Sequence, residues 1–233
     1  MTPPPLRVEA LTKTFTLHLR DGLRLPVLGG VDLSIAAGTC VVLSGPSGAG
    51  KSTLLRALHG NYRADSGRIL VRHLGETVDM VTADPRAILA VRHHTIGHVS
   101  QFLRVVPRVS ALDIVAEVLT GRGPSPAEAA ERAAAMLLSL NIPRRMHAIP
   151  PATFSGGEQQ RVNLARGFIA AHPILLLDEP TASLDADNRA VAVRMIQDAK
   201  ARGAAIVAIC HDPDTRERIA DRLFPIAQIQ EAA

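Results

Sequence analysis

The stretch Gly45-Pro46-Ser47-Gly48-Ala49-Gly50-Lys51-Ser52-Thr53 limits what this chain can fold into more than any other. It fits G-x-x-x-x-G-K-[ST], a loop that cradles phosphate groups. The apolar run Cys40-Val41-Val42-Leu43 precedes it and reads as a buried strand. Ser52 to His59 follows as a helix, with Gly60 as its stop. A strand entering and a helix leaving such a loop belongs to an α/β fold, whose ligands sit at the carboxyl ends of parallel strands. The residue types suit the chemistry. Glycines let successive N–H groups turn inward toward phosphate oxygens, and the helix N-terminus adds partial positive charge. Lys51 brings a full charge to the β- and γ-phosphates, and Ser52 offers a hydroxyl to Mg²⁺.

The chain has 233 residues, 47% hydrophobic and 21% charged, as in a soluble globular protein. No run reaches the ~18 apolar residues that span a membrane. Met1 to Pro5 lacks the regions of a signal peptide, so the expected location is the cytoplasm. A net charge of +4 suits an anionic ligand, but the basic residues form no block. Aromatic content of 3% without Trp is too low for a stacking platform, so nucleic acid is not an expected partner. Cys40 and Cys210 both fall in apparent buried strands and read as core residues rather than a disulfide or metal pair.

Along the chain, Thr14–Arg20 and Leu23–Leu28 flank Asp21-Gly22 as a hairpin. Val31–Ile35 reads as a separate half-buried strand, and Asp65-Ser66-Gly67 as a turn before Arg68–Val71. Asp84-Pro85 starts a short helix through Val91. His93 and His94 are adjacent, cannot share one face, and read as solvated. Thr95–Ser100 is a strand ending at Gln101. Residues 103–154 turn helical: Ala111–Leu119, then Ala127–Leu140, which opens on a Ser125-Pro126-Ala127-Glu128 capping box. Ser155-Gly156-Gly157 opens a helix through Phe168. Ile174–Leu177 is apolar on both faces, suiting the middle of a parallel sheet, and ends in Asp178-Glu179. Asn188–Lys200 is a helix, and Ala204–Ile209 a strand ending at His211-Asp212.

Asp178-Glu179 has the form of a Walker B element. Asp178 would hold Mg²⁺, and Glu179 would take a proton from an attacking water. Ser155-Gly156-Gly157-Glu158-Gln159 just upstream resembles the signature motif of ATP-binding-cassette (ABC) ATPases. The other elements of that family follow in order. Phe15 resembles the aromatic residue that stacks on adenine. Gln101 resembles the Q-loop glutamine, which touches Mg²⁺ and the attacking water. Ser183-Leu184-Asp185 resembles the D-loop, and His211 the switch histidine at the γ-phosphate. Phe154 stands where the signature has Leu, and Glu158 where Gln is frequent.

The resemblance implies a P-loop NTPase fold of the ABC nucleotide-binding type: a RecA-like parallel-sheet core, an antiparallel β subdomain and a helical lobe. It implies one domain over 1–233, with a catalytic lobe (1–101 and 155–233) and a helical lobe (102–154). The cofactors implied are ATP and Mg²⁺. Each ATP would lie between one P-loop and the other subunit's Ser155, Gly156, Gly157 and Glu158, with Asp185 nearby, in a homodimer or a pair with a related subunit.

Three segments between the motifs resemble one group more narrowly. HLRDGLRLPVL (18–28), VSQFLRVVPRVSALDIV (99–115) and TFSGGEQQRVNLARGFI (153–169) are similar to the ABC protein of the bacterial phosphonate carbon–phosphorus lyase system. That implies an ATPase working with soluble lyase subunits, with no membrane insertion of its own. Phe102–Val106, with Arg104 and Arg108, is the expected partner-facing patch, unless Phe102 and Leu103 pack the core. The competing reading is a transporter ATPase of the lipoprotein-release or macrolide-export type, which shares the Ser-Gly-Gly-Glu-Gln-Gln-Arg run. Glu179 argues against a third, a scaffold that binds ATP without hydrolysing it.

Overall fold

The computed structural model describes residues 3–17, 22–104 and 107–229. In chain order its elements are β1 (Leu6–Leu17), β2 (Leu23–Ile35), β3 (Cys40–Ser44), α1 (Lys51–Leu58), β4 (Ser66–His73), β5 (Glu76–Asp79), α2 (Pro85–His94), β6 (Ile96–Val99), α3 (Ala111–Ala116), α4 (Pro126–Ser139), α5 (Gly156–Phe168), β7 (Ile174–Asp178), α6 (Ala186–Ala201), β8 (Ala205–Ile209), α7 (Pro213–Ile219) and β9 (Arg222–Pro225). They form an antiparallel sheet, β2-β1-β4-β5, and a parallel sheet, β6-β7-β8-β3-β9.

The parallel sheet is apolar on both faces at its centre because β7, β8 and β3 each alternate between two cores. Cys40 and Val42, Leu175 and Leu177, Ile206 and Ala208 face one core, which they share with α3, α4, α5 and α6. Val41 and Leu43, Ile174 and Leu176, Ala205 and Val207 face the other, shared with α1 and the antiparallel sheet. Truncating a fully buried Leu such as Leu176 to Ala costs about 2–5 kcal/mol. Six helices start on a side chain that accepts a first-turn N–H: Asp84, Ser110, Ser125, Ser155, Asp185 and Asp212. Each cap contributes about 0.5–2 kcal/mol. The Ser125 capping box forms as its spacing requires. Both cysteines are free and buried; burial pushes the Cys40 thiol up to about 12, which makes it inert.

Two features differ from the sequence expectation. The tip of the hairpin, 18–21, lies outside the described residues, but its strands pair through Leu17 and Leu23. The break expected at Gly29-Gly30 is a bulge in one long strand. Thr12 opposes Gly29 and Leu11 opposes Val31, leaving Gly30 unpaired at φ 76°. Ser66-Gly67 belongs to β4 rather than to a turn. Strands β5 and β9 and helix α7 carry no periodicity that announces them; each is short, and β5 and β9 lie at sheet edges.

Candidate active site

Parallel strands bring their carboxyl ends to one edge. In sheet order, β6 leads to Gln101, β7 to Asp178-Glu179, β8 to His211, and β3 to the P-loop. Residues far apart in sequence therefore line up along a single rim.

The P-loop is held from two sides. Gly50 stands at φ 98°, and a Cβ there would lie 2.8 Å from the Val27 carbonyl oxygen. One at Gly45 would lie 2.5 Å from the Ile226 oxygen, so both positions require glycine. Gly45 to Gly48 are exposed and Ala49 is buried, its N–H donating to the Pro46 carbonyl at 3.3 Å. Helix α1 begins without a side-chain cap, so its first-turn N–H groups are free to meet an anion. Lys51 is buried, and its Nζ donates to the carbonyls of Gly45 (2.8 Å) and Pro46 (2.7 Å). Ser52 and Thr53 follow, half-buried.

Asp178 is 5% exposed, and its Oδ1 is buried without a hydrogen-bond partner. Burial and the neighbouring Glu179 push its carboxyl above the usual range, while Arg56, His211 and the Ser52 hydroxyl pull the other way. An orphaned carboxylate oxygen beside a serine hydroxyl is the donor set that Mg²⁺ prefers, so these residues fit the ion. Glu179 adopts φ 52°, unusual for a non-glycine. Its N–H donates to the Ile209 carbonyl at 3.0 Å, and its Oε1 lies 3.4 Å from His211 Nε2. A side chain held in this strained turn points off the strand end toward the rim.

Phe15 is half-buried rather than core. Its ring meets Tyr62 edge-on at 5.2 Å, and Lys13 Nζ sits 5.2 Å from its centre. Asp65 anchors this part of β1 through Thr14 N–H (2.6 Å) and Lys13 (3.1 Å).

Ser155 caps α5 in a second capping box. Glu158 accepts from the Ser155 N–H and hydroxyl, both at 2.8 Å, and these bonds hold its carboxyl below the usual range. Glu158 is thus committed to shaping the motif, and its negative charge is a poor direct ligand for phosphate. Gly156 and Gly157 pack against Ser183, two residues before Asp185.

Two residues were missed by the sequence reading. Gln160 and Asn163 sit on the buried face of α5, 4% and 2% exposed. Gln160 donates to the Glu179 and Pro180 carbonyls (3.3 and 3.0 Å), and Asn163 to that of Ser100, next to Gln101 (2.5 Å). They tie the Ser155 helix to Glu179 and to the segment that leads into Gln101. The available signal was polar residues at i and i+3 among Val162, Leu164 and Ala165.

Beside Gln101 opens a cleft of about 700 Å³ that reaches Asp178. Arg56, Arg92, Arg104 and Arg166 line it with His59 and His98. Burial and nearby arginines lower the two imidazoles to about 3 and about 4, so the arginines supply its charge. Phe102 stands 75% exposed at its edge, while Leu103 is buried. Of the expected patch, Phe102 is thus on the surface and Leu103 in the core; 105 and 106 lie outside the described residues.

The family model for "ABC transporter" matches residues 28–182. The chain belongs to the ABC transporter family. It is an ABC ATPase with the fold expected for one: a parallel core, an antiparallel sheet and packed helices. It is 39% identical over 227 residues to the lipoprotein-releasing system ATP-binding protein LolD 2 of Caulobacter vibrioides, covering 97% of this chain and 96% of that one. It is 35% identical to the macrolide export ATP-binding/permease protein MacB of Marinobacter nauticus, covering 97% of this chain and 34% of that protein. Among solved structures it resembles the ATP-binding cassette MJ0796 in a dimeric post-hydrolysis state bound to ADP and Pi. The TM-score is 0.86 at 27% identity, over 96% of this chain and 94% of that one. These relatives carry the ABC membership. They do not carry the narrower resemblance to the phosphonate-lyase protein.

Proposed function

We propose that the chain works as an ATP-sandwiched dimer that hydrolyses MgATP and drives a partner seated at the cleft beside Gln101. The observation that carries this is one rim that gathers the P-loop, Asp178, Glu179 and His211, together with a second glycine-rich helix N-terminus at Ser155–Gly157 packed on Ser183. The likeness to a dimer bound to ADP and Pi supports the reading. The assignments of Phe15 to the base, Gln101 to the metal and water, and of lobes 1–101 with 155–233 and 102–154 belong to this proposal.

In the reaction, Lys51 and the loop N–H groups hold the β- and γ-phosphates. Glu179 takes the proton of the water that attacks the γ-phosphorus, the bond to the β-phosphate oxygen breaks, and ADP leaves. His211, beside Glu179, holds the γ-phosphate oxygens. Mg²⁺, held by Asp178 and the Ser52 hydroxyl with Gln101 nearby, would neutralise phosphate charge.

Overall similarity favours a permease of the lipoprotein-release or macrolide-export type as the partner, since those are the relatives' names. The soluble phosphonate lyase subunits stay the second reading, resting on the segment resemblance alone, which the relatives do not support. The segments resembling that system's ABC protein include 99–115, which carries the cleft-lining Gln101, Phe102 and Arg104. Under either reading the chain works in the cytoplasm, and no helix among the described residues is long and apolar enough to cross a membrane. Affinity purification of the Glu179→Gln variant with ATP, from cells grown on a phosphonate, separates the two. Lyase subunits in the eluate establish the second reading and a polytopic permease the first. ATP turnover that survives Lys51→Ala would refute the site itself.

A further inference from the structure

The signature motif and the D-loop of one chain are joined by a continuous run of polar contacts. A Cβ at Gly157 would lie 2.7 Å from the Ser183 carbonyl oxygen, so the two segments touch backbone to backbone. One turn along α5, Arg161 donates from Nε to the Gly157 carbonyl (3.3 Å). Its Nη1 donates to the carbonyls of Leu140 (3.2 Å) and Asn141 (2.6 Å) at the end of α4. Asn141, in the left-handed conformation at φ 57°, donates from Nδ2 to Asn188 Oδ1 at 2.9 Å. Asn188 in turn donates from Nδ2 to both carboxylate oxygens of Asp185, each at 2.9 Å, and from its backbone N–H at 2.8 Å.

The direction of this relay is fixed. Asp185 can only accept, so Asn188 must turn its NH₂ toward it and leave its carbonyl for Asn141, which must donate. The bond spans 47 positions of sequence and joins the end of α4 to the start of α6.

We propose that the Asn141–Asn188 hydrogen bond is a positioning device that holds Asp185 in register with Ser155–Gly157, so that both present one prepared surface to the second copy of the chain. The proposal rests on the ATP-sandwich reading. Asn141 touches no nucleotide; it acts through Asn188 and Asp185. A surface held in register before association loses less freedom on dimerisation.

Two variants isolate the bond. Asn141→Asp keeps shape and left-handed tolerance but sets an acceptor against an acceptor. Asn141→Gly favours the same backbone conformation and removes the side chain. Both are made in the Glu179→Gln background, and dimerisation with MgATP is followed by sedimentation. One lost hydrogen bond per subunit, two per dimer, weakens the dimer roughly 5- to 150-fold. MgADP binding to the single subunit stays at the parent value, and the melting temperature falls only by the few degrees that one intramolecular hydrogen bond is worth. With Glu179 restored, turnover per subunit falls at low protein concentration and recovers at high concentration, which a purely structural defect does not produce. Parent-like dimerisation of Asn141→Gly overturns the proposal and leaves Asn141 with only its turn. Loss of MgADP binding or of folding in both variants also overturns it. Failure of the parent Glu179→Gln protein to dimerise refutes the ATP-sandwich reading instead.

Discussion

Replacing Asp178 with Asn should make the ligand-free protein more stable and the ligand-bound protein less so. Asp178 is 5% exposed, its Oδ1 has no partner, and Glu179 adds a second negative charge beside it. An unsatisfied buried polar group costs about 1–3 kcal/mol, and a charged one more. Asn keeps the shape and removes the charge, so in EDTA the variant should gain about 1–3 kcal/mol. For a domain of this size that is roughly 2–12 °C in melting temperature. With Mg²⁺ and a non-hydrolysable ATP analogue at about 100 times Kd, the wild type should gain about 2.7 kcal/mol. The variant, short of a metal ligand, should gain far less, and the order of stabilities reverses. Acidity offers a second check. The folded protein holds the Asp178 proton more tightly than the unfolded chain does. The cost of the ionised form is therefore absent below about pH 4, the unfolded value, and is fully present above the raised folded value. Wild type and variant should converge on acidification. Scanning calorimetry in EDTA and in MgATP analogue reads all of this. An Asp178→Asn protein that melts below wild type in EDTA, or that gains as much from the analogue, would refute the reasoning.

Glu179→Gln should bind MgATP normally and turn over roughly 10²–10⁴-fold more slowly, read by phosphate release; equal turnover would remove Glu179 from the chemistry. Phe15→Ala should weaken ATP binding with little effect on saturated turnover. Stacking is worth about 1–3 kcal/mol, or roughly 5- to 150-fold in Kd by titration; an unchanged Kd would leave Phe15 only its packing on Tyr62. Ser155→Arg should abolish the ATP-dependent dimer of Glu179→Gln on sizing chromatography while one subunit still binds nucleotide. A dimer that persists would contradict a role for Ser155 opposite the partner's γ-phosphate.

The residues of the candidate rim were legible because they sit in strong local patterns. Ile174–Leu177 could only be a strand covered on both faces, and the structure gives its alternate side chains to two cores. The P-loop and the Ser155 helix announced themselves through glycine spacing and capping chemistry. What stayed hidden depends on partners far away in sequence. Gly29-Gly30 looks like a turn in isolation, and only pairing with Leu11 and Thr12 makes it a bulge. Strand β9 owes its existence to hydrogen bonding with β3, some 180 residues earlier, and has no pattern of its own. Gln160 and Asn163 look like the polar side of an amphipathic helix until the Ser100 and Glu179 carbonyls are seen beneath them.

The position of β3 bears on how the protein is made. The strand that launches the P-loop is the fourth of five, held between β8 and β9. Both of its neighbours are therefore translated well after it. At about 5–20 residues per second, roughly 10–40 s separate synthesis of Ser44 from synthesis of Pro225. Through that interval β3 emerges with both hydrogen-bonding edges open and an apolar sequence along them, which is the state most prone to pairing with a wrong strand. The nascent chain would then carry a P-loop that cannot yet take its shape, since the Ile226 carbonyl that packs on Gly45 does not exist. Completion of the P-loop's packing would therefore wait on the docking of β9.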